Sequence, residues 1–214
     1  MKVAAPQLPA ELTPLTDLKR QIMKDETISA VSVDQEDVTG VAAKSVSLSE
    51  VKATSTGFVE AKLERAAFID CIFSKCDFTA SKLPDASWQR TVLLAARASG
   101  VQLQNSTLKE ITFDGCKLDL ANFRFAKLKN VHFKDCDLTE ADFYAAELHN
   151  VEFENCNLDR VEFSSSKLKK VDLRSSDILA IRGVDSLGGA IIDSSQLMAL
   201  APALAAHHKI VVED

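Results

Sequence analysis

Long apolar runs are missing from this sequence. No stretch is long enough to span a bilayer, and the opening M-K-V-A-A-P-Q-L-P-A lacks the unbroken apolar segment of a secretory signal. The expected location is the cytoplasm. An excess of positive charge is missing too, since 25 Lys and Arg stand against 31 Asp and Glu for a formal net charge of -6. Nucleic acid and anionic membrane surfaces are therefore not expected as direct partners, because both demand a surplus of cations, whereas a basic protein partner is compatible with the charge. The sequence also holds no G-x-S-x-G, no phosphate-binding loop and no G-x-G-x-x-G, so a non-enzymatic chain with no catalytic residues and no cofactor is expected. Five cysteines are an odd number, and a reducing compartment makes a disulfide framework unexpected.

What is plentiful is phenylalanine, eleven residues set mostly in the middle of the chain. Every fifth residue from Leu108 reads Leu108, Phe113, Leu118, Phe123, Leu128, Phe133, Leu138, Phe143, Leu148, Phe153, Leu158, Phe163 and Leu168. The frame extends back to Ile28 and forward to Ile178 without insertion or deletion, weaker before Phe58 and around Ala98. Two residues before each of these centres sits a small residue, in the order Cys116, Ala121, Ala126, Val131 and again Cys136, Ala141, Ala146, Val151. A period of five fits neither the 3.6 of a helix nor the alternation of a strand. The chain must turn every five residues with one large and one small side chain inward. Four such units then form a square coil, stacked on the next at about 4.8 Å.

The units Ala121-Asn122-Phe123, Cys136-Asp137-Leu138, Ala141-Asp142-Phe143 and Cys156-Asn157-Leu158 carry the A(D/N)LXX pattern, and on them the chain resembles the pentapeptide repeat family. The resemblance implies that family's fold, an all-β, right-handed quadrilateral β-helix, over residues 26–182. Lys117, Lys127 and Glu152 depart from the pattern, and Thr91 to Gly100 is its poorest stretch, where a distorted or looped-out coil is expected.

All five cysteines, Cys71, Cys76, Cys116, Cys136 and Cys156, fall on the small inward position and read as apolar filler, not as metal ligands. Parallel side chains in a one-dimensional column do not converge on a metal. His132 and His149 take outward positions with no Cys or carboxylate at compact spacing, and His207 and His208 lie near the C-terminus, so no metal site is expected.

Sorting outward residues by wall separates their charges. The first wall, of Phe113, Phe133, Phe153 and Leu173, carries Asp114, Asp135, Glu152, Glu154 and Asp172 against Lys134 and Arg174. The second, of Leu118, Leu138, Leu158 and Ile178, carries Asp119, Asp137, Glu140, Asp159 and Asp177 against Lys117 and Arg160. The fourth, of Leu108, Leu128, Leu148 and Leu168, carries Lys109, Lys127, Lys129, Lys167, Lys169 and Lys170. One reading is that charged walls serve solubility alone. The other is that the two acidic walls form a partner-binding stripe whose regular carboxylates imitate DNA phosphates, which occur about every 1.7 Å of duplex axis. Val92, Leu94, Phe125 and Tyr144 offer a different, apolar interaction surface for a scaffold role.

The ends differ from the middle. Residues 1–25 read as a cap whose helix starts from Thr13 with Pro14 in its first position. Residues 183–214 read as a turn at Gly188 and Gly189, an apolar helix interrupted by Pro202, and a short strand at Ile210 to Val212. This tail is similar to the C-terminus of the quinolone-resistance branch of the family, Qnr and MfpA. That likeness implies a two-fold homodimer through Leu197, Met198, Leu200, Leu204, Ile210 and Val212, and an acidic rod that acts as a DNA mimic on DNA gyrase and topoisomerase IV. The alternative is a tail that simply caps the coil of a monomer.

Overall fold

In a computed structural model, which describes residues 2–24 and 27–211, the chain is a four-sided parallel β-solenoid. Its period is the one the sequence implies. Leu128 pairs in register with Leu148 and Phe133 with Phe153, twenty residues on, and the same offset holds from Thr27↔Ser47 to Glu152↔Asp172. Two neighbouring walls are built by single strands bent at a corner, as in Thr107–Asp114, Lys127–Lys134 and Glu147–Glu154. The other two walls hold isolated bridges, such as Asp137↔Asn157 and Asp142↔Glu162, and near the start one short strand pair, Ala42–Lys44 with Lys62–Glu64.

The corners explain how a chain of L-residues turns so often. Every fifth residue from Ala30 to Lys170 has a positive φ, and only Gly40, Gly100 and Gly115 among them are glycines. Left-handed backbone costs roughly 1 kcal/mol or more at a residue with a Cβ. Each corner recovers it by aiming its N–H at the coil above, as Asp135 N does to Glu154 O at 2.8 Å and Glu140 N to Asp159 O at 2.9 Å.

Inside, the centres are buried along the whole rod and the small residues before them from Val41 on. Rings stack in columns at the coil rise, with Phe113–Phe133 at 4.9 Å, Phe133–Phe153 at 4.8 Å and Phe123–Phe143 at 4.7 Å, all within 4° of parallel. The two opposing columns meet edge to face, as Phe133 and Phe143 do at 86°. Both geometries suit the aromatic quadrupole, and each buried ring adds about 1.5–3 kcal/mol of transfer free energy. The cysteines are small and buried as expected, yet they are more than filler. Each donates its thiol to a carbonyl of the previous coil, Cys116 to Leu93 O at 3.4 Å, Cys136 to Phe113 O at 3.5 Å and Cys156 to Phe133 O at 3.4 Å. Ser81 and Ser106 use the same position to reach Phe58 O and Leu83 O. Burial pushes the Cys71 thiol up to about 12 and Cys76 to about 11, so both stay protonated donors.

Thr91 to Gly100 is neither distorted nor looped out. Val92 pairs with Thr112, and Ala98 N bonds Lys117 O at 2.7 Å. The backbone keeps its path because ladder bonds do not depend on side-chain size. The missing bulk at Ala98 shows instead as a small apolar void bordered by Phe78, Trp88, Leu93, Val101 and Phe113. Trp88 narrows it from one side, stacked 3.9 Å from Phe68.

The ends correct the sequence reading. Thr13 and Pro14 form a short strand on the first coil, pairing with Val31 and Ser32, and Leu15 N bonds Ser32 O at 2.8 Å. Pro14 has no N–H to leave unpaired on such an edge. The helix α1, Leu18–Met23, is capped instead by Asp17, whose carboxylate accepts from Arg20 N. Leu18 and Ile22 seal the first coil. Before Thr13 the chain runs as an extended strap across several coils, Gln7 N bonding Asp70 at 2.9 Å and Ala4 N bonding Glu110 at 2.8 Å. Asp70 is the one charged side chain buried among the described residues, and Arg90 grips it at both oxygens.

At the far end Gly183 and Gly189 adopt positive φ where a Cβ would sit 2.2 Å from Ser164 N and 2.1 Å from Leu168 O, so the chain closes tightly on the last coil. The helix α2, Ser194–His207, opens with a capping box of Asp193 and Gln196. Pro202 does not interrupt it, since the carbonyl that loses a partner belongs to Met198, on the solvent side. No strand forms at Ile210 and Val211. Lys209 takes a positive φ and Ile210 N returns to Ala205 O at 2.9 Å, which closes α2 with a Schellman turn. Val212 lies outside the described residues.

Two outcomes follow. Ala98→Leu restores a full-sized centre and raises the denaturation midpoint, whereas Phe143→Ala lowers stability by about 3–5 kcal/mol; a midpoint for Ala98→Leu below the wild type would contradict the void. The Arg90 guanidinium beside Asp70 holds its carboxyl below the usual 3.8, by hydrogen bonding above all. A depressed folded-state pKa stabilises above the unfolded value and is lost as pH falls through the folded one. Acid denaturation should therefore steepen below about pH 4 in the wild type and less so in Asp70→Asn, followed by circular dichroism.

Candidate functional site

The outer walls are where chemistry can reach solvent. In each five-residue unit three side chains point outward, those just before the centre, just after it and at the corner, and the structure sorts the nine predicted carboxylates among these places. Glu152, Asp137 and Asp172 precede their centres; Asp114, Asp119, Glu154 and Asp159 follow theirs; Asp135 and Glu140 stand at corners. All nine lie on two adjoining walls and are partly or fully exposed.

Position decides how much of that charge is free. A carboxylate before the centre folds back on the turn. Asp137 accepts from Thr139 N at 3.1 Å and Thr139 Oγ1 at 2.6 Å, and Asp142 accepts from Tyr144 N at 2.8 Å. Asn157 does the same for Asp159 N. This Asx turn is the physical reason for Asp or Asn at that place in the repeat, and it was missed in reading the sequence. Others are matched by cations, either one coil away or on the same turn. Arg160 binds Glu140 at 2.8 Å and Asp159 at 3.2 Å, and Arg174 binds Asp172 at 2.6 Å and holds its carboxyl below the usual carboxylate range. Asp119 accepts from Ser99 at 2.6 Å. Asp114 has no ion pair among the described residues, and Asp135 has only Asn155 at 3.3 Å.

His132 is not isolated on the surface. The register places Glu152 on the rung above it, and its Nε2 lies 2.8 Å from Glu154, the neighbour of that rung. The sequence signal was present as a spacing of twenty and twenty-two residues, which only the coil period makes compact.

The fourth wall carries the opposite charge. Lys109, Lys129, His149 and Lys169 stand directly above one another, an arrangement of like charges that costs stability unless a counter-charge is near. Among the described residues only Lys167 has a carboxylate partner there, Glu147 at 3.3 Å. This segregation is confined to residues 107–182; upstream the same walls mix Lys52 and Arg97 with Glu60 and Asp77.

The apolar candidates are gathered only in part. Phe125 and Tyr144 meet edge to face at 5.8 Å with the Arg124 guanidinium 4.3 Å from the Tyr144 ring, and Asp142 binds Arg124 at 2.9 Å. Leu120, 57% exposed, stands at the next corner and was not foreseen. Val92 and Leu94 lie on a different wall and do not join this cluster. At the C-terminus the proposed dimer residues divide. Leu200 is buried against the coil and Leu204 partly so, whereas Leu197, Met198 and Ile210 are exposed at 50%, 74% and 60%. Gln196 does the capping, its amide donating to Leu173 O at 2.7 Å and Ser176 O at 2.8 Å. Among the described residues no helix is long and apolar enough to cross a membrane.

Comparison with known proteins follows these features. The chain matches the sequence model of the pentapeptide repeat region over residues 66–131 and 107–182. No curated protein matches it significantly. Among solved structures it is similar to a trypsin-treated form of QnrB1, a plasmid-mediated fluoroquinolone resistance protein, at 20% identity and a TM-score of 0.41 over 96% of this chain and 98% of that one. It is also similar to HetL, a pentapeptide repeat protein involved in heterocyst differentiation regulation from the cyanobacterium Nostoc sp. strain PCC 7120, at 19% identity and a TM-score of 0.38, covering 78% of this chain and 90% of that one.

Proposed function

Because the chain belongs to the pentapeptide repeat family, we propose that it is a non-catalytic protein-binding rod whose acidic walls act as a DNA mimic on a type II topoisomerase, DNA gyrase or topoisomerase IV, and protect it from inhibitors. The observation that carries this reading is the bias of charge within residues 107–182, where carboxylates outnumber Lys117, Lys134, Arg160 and Arg174 on two adjoining walls and lysines outnumber Glu110 and Glu147 on the wall beyond. A groove shaped for duplex DNA presents cations along a line, and a rigid rod with carboxylates repeated at the coil rise meets them without ordering a flexible chain. Among the described residues Asp114, Asp119, Asp135 and Asp137 make no ion pair, although Lys134 and Lys117 stand on the rungs next to Asp114 and Asp137; Glu140, Asp159 and Asp172 are held by arginines and define the edge of the stripe. The helix α2, with Gln196 and Leu197 placed as in the resistance branch, supports the same reading, although the strand expected after it does not form at Ile210 and Val211. The exposed apolar side of α2 favours a homodimer through Leu197, Met198 and Ile210, with Leu200 and Gln196 reserved for capping.

A second reading has its own observation. Phe125 is half exposed at a positive-φ corner, where a bulky residue is costly, and it is clustered with Tyr144 and Arg124, with Leu120 exposed at the corner before it. Such a patch suits a scaffold that binds another protein through aromatic anchors.

The deciding measurement is a gyrase supercoiling assay titrated with the protein, with and without a fluoroquinolone. Inhibition or drug protection at micromolar concentration is expected, weakening steeply with salt and lost when Asp114, Asp119, Asp135 and Asp137 are replaced by Lys. No effect of either kind would sink the mimic, and salt-insensitive partner binding lost in Phe125→Ala would favour the scaffold. Light scattering tests the homodimer. The wild type should show twice the chain mass and Leu197→Glu with Met198→Glu the single mass, with a monomeric wild type refuting it; these exposed positions leave the Gln196 cap intact.

A further inference from the structure

We propose that His132, Glu152 and Glu154 form a binding site for one divalent transition-metal cation of the zinc class. The three side chains come from the outer face of two consecutive coils. His132 precedes its centre Phe133, and Glu152 and Glu154 flank the centre Phe153 one rung above. Side chains on either side of an inward residue share one face of the sheet, and those on adjacent rungs stand within reach of each other. One ligand atom from each of the three residues lies within 4.8 Å of the other two, and His132 Nε2 is already 2.8 Å from Glu154.

Glu152 adds a second carboxylate oxygen within the same 4.8 Å, so the three residues offer one nitrogen and two oxygens around one point. One nitrogen and two carboxylate oxygens are donors that zinc accepts at about 2.0–2.2 Å, and a three-residue set leaves a fourth position for water. Asp172, on the rung above Glu152, is held by Arg174 and does not supply that position. The half-buried His132 ring selects against magnesium and calcium, which take oxygen donors. The thiols do not compete, because all five cysteines are buried. The bound cation would offset the charge of two glutamates in the acidic stripe, but the site itself stands independently of any topoisomerase.

Isothermal titration of the full chain with zinc chloride tests it. One equivalent should bind in the micromolar range, about tenfold or more weaker in His132→Gln and in Glu154→Gln, and unchanged when His207 and His208 are both replaced by Gln. Magnesium at about hundredfold excess should not displace it. Absence of uptake, a His132→Gln titration equal to the wild type, or ready displacement by magnesium, which would mean diffuse counter-ion binding on an acidic wall, overturns the site. Of the four residues substituted, His132 and Glu154 point outward from the coils and His207 and His208 are exposed at the end of α2, so the solenoid remains folded while binding is read.

Discussion

The distance between coils governs this molecule. Parallel strands can stack at one spacing only, and every side chain must live with a neighbour that far above and below it. Inside, the constraint selects columns of like residues: rings over rings, thiols and hydroxyls beneath carbonyls, small residues over small ones. Outside, it brings together residues that are remote along the chain. Arg160 reaches Glu140 and Lys167 reaches Glu147 for the same reason that Phe133 lies over Phe113. A charge cannot be placed on this surface without choosing its neighbours, so a wall of one sign is a costly arrangement and a wall of alternating sign a cheap one.

Much of the fold is legible in the sequence because the repeat reports itself at each unit. A centre every five residues fixes which side chains are buried, and stacking fixes the walls. The details that escaped depend on geometry within a turn or on contacts between distant segments. Asp137 and Asp142 could be read as surface charge until the Asx turn showed them holding backbone N–H groups. Thr13 looked like a helix cap because Pro14 follows it, but a two-residue strand on an open edge satisfies more backbone than one more helical turn would. Gln7 with Asp70 and Ala4 with Glu110 join residues that no local pattern relates. The pairing of His132 with Glu154 was readable in principle, once spacings are counted in coils and not in residues.

A solenoid must also end, and its two ends are treated differently. At the first coil a short strand and α1 cover the edge, with Leu18 and Ile22 as an apolar lid. At the last coil the polar problem dominates, because carbonyls of Leu173 and Ser176 have no further coil to meet. The side-chain amide of Gln196 takes both, and it reaches Leu173 across the same separation that Cys156 and Ser176 span to reach the coils before them. The cap thus imitates the ladder it terminates, after which α2 is free to present apolar surface outward.

The unbroken frame from Thr27 to Arg182 bears on how such a chain can change length. Gain or loss of twenty residues lengthens or shortens the rod and leaves every column intact. Gain or loss of five preserves each individual turn yet rotates everything downstream by a quarter revolution, which would set lysines above carboxylates and phenylalanines above leucines. A repeat that is five residues long for folding is therefore twenty residues long for heredity, and the surface pattern on the second half of the rod can be inherited only in whole coils.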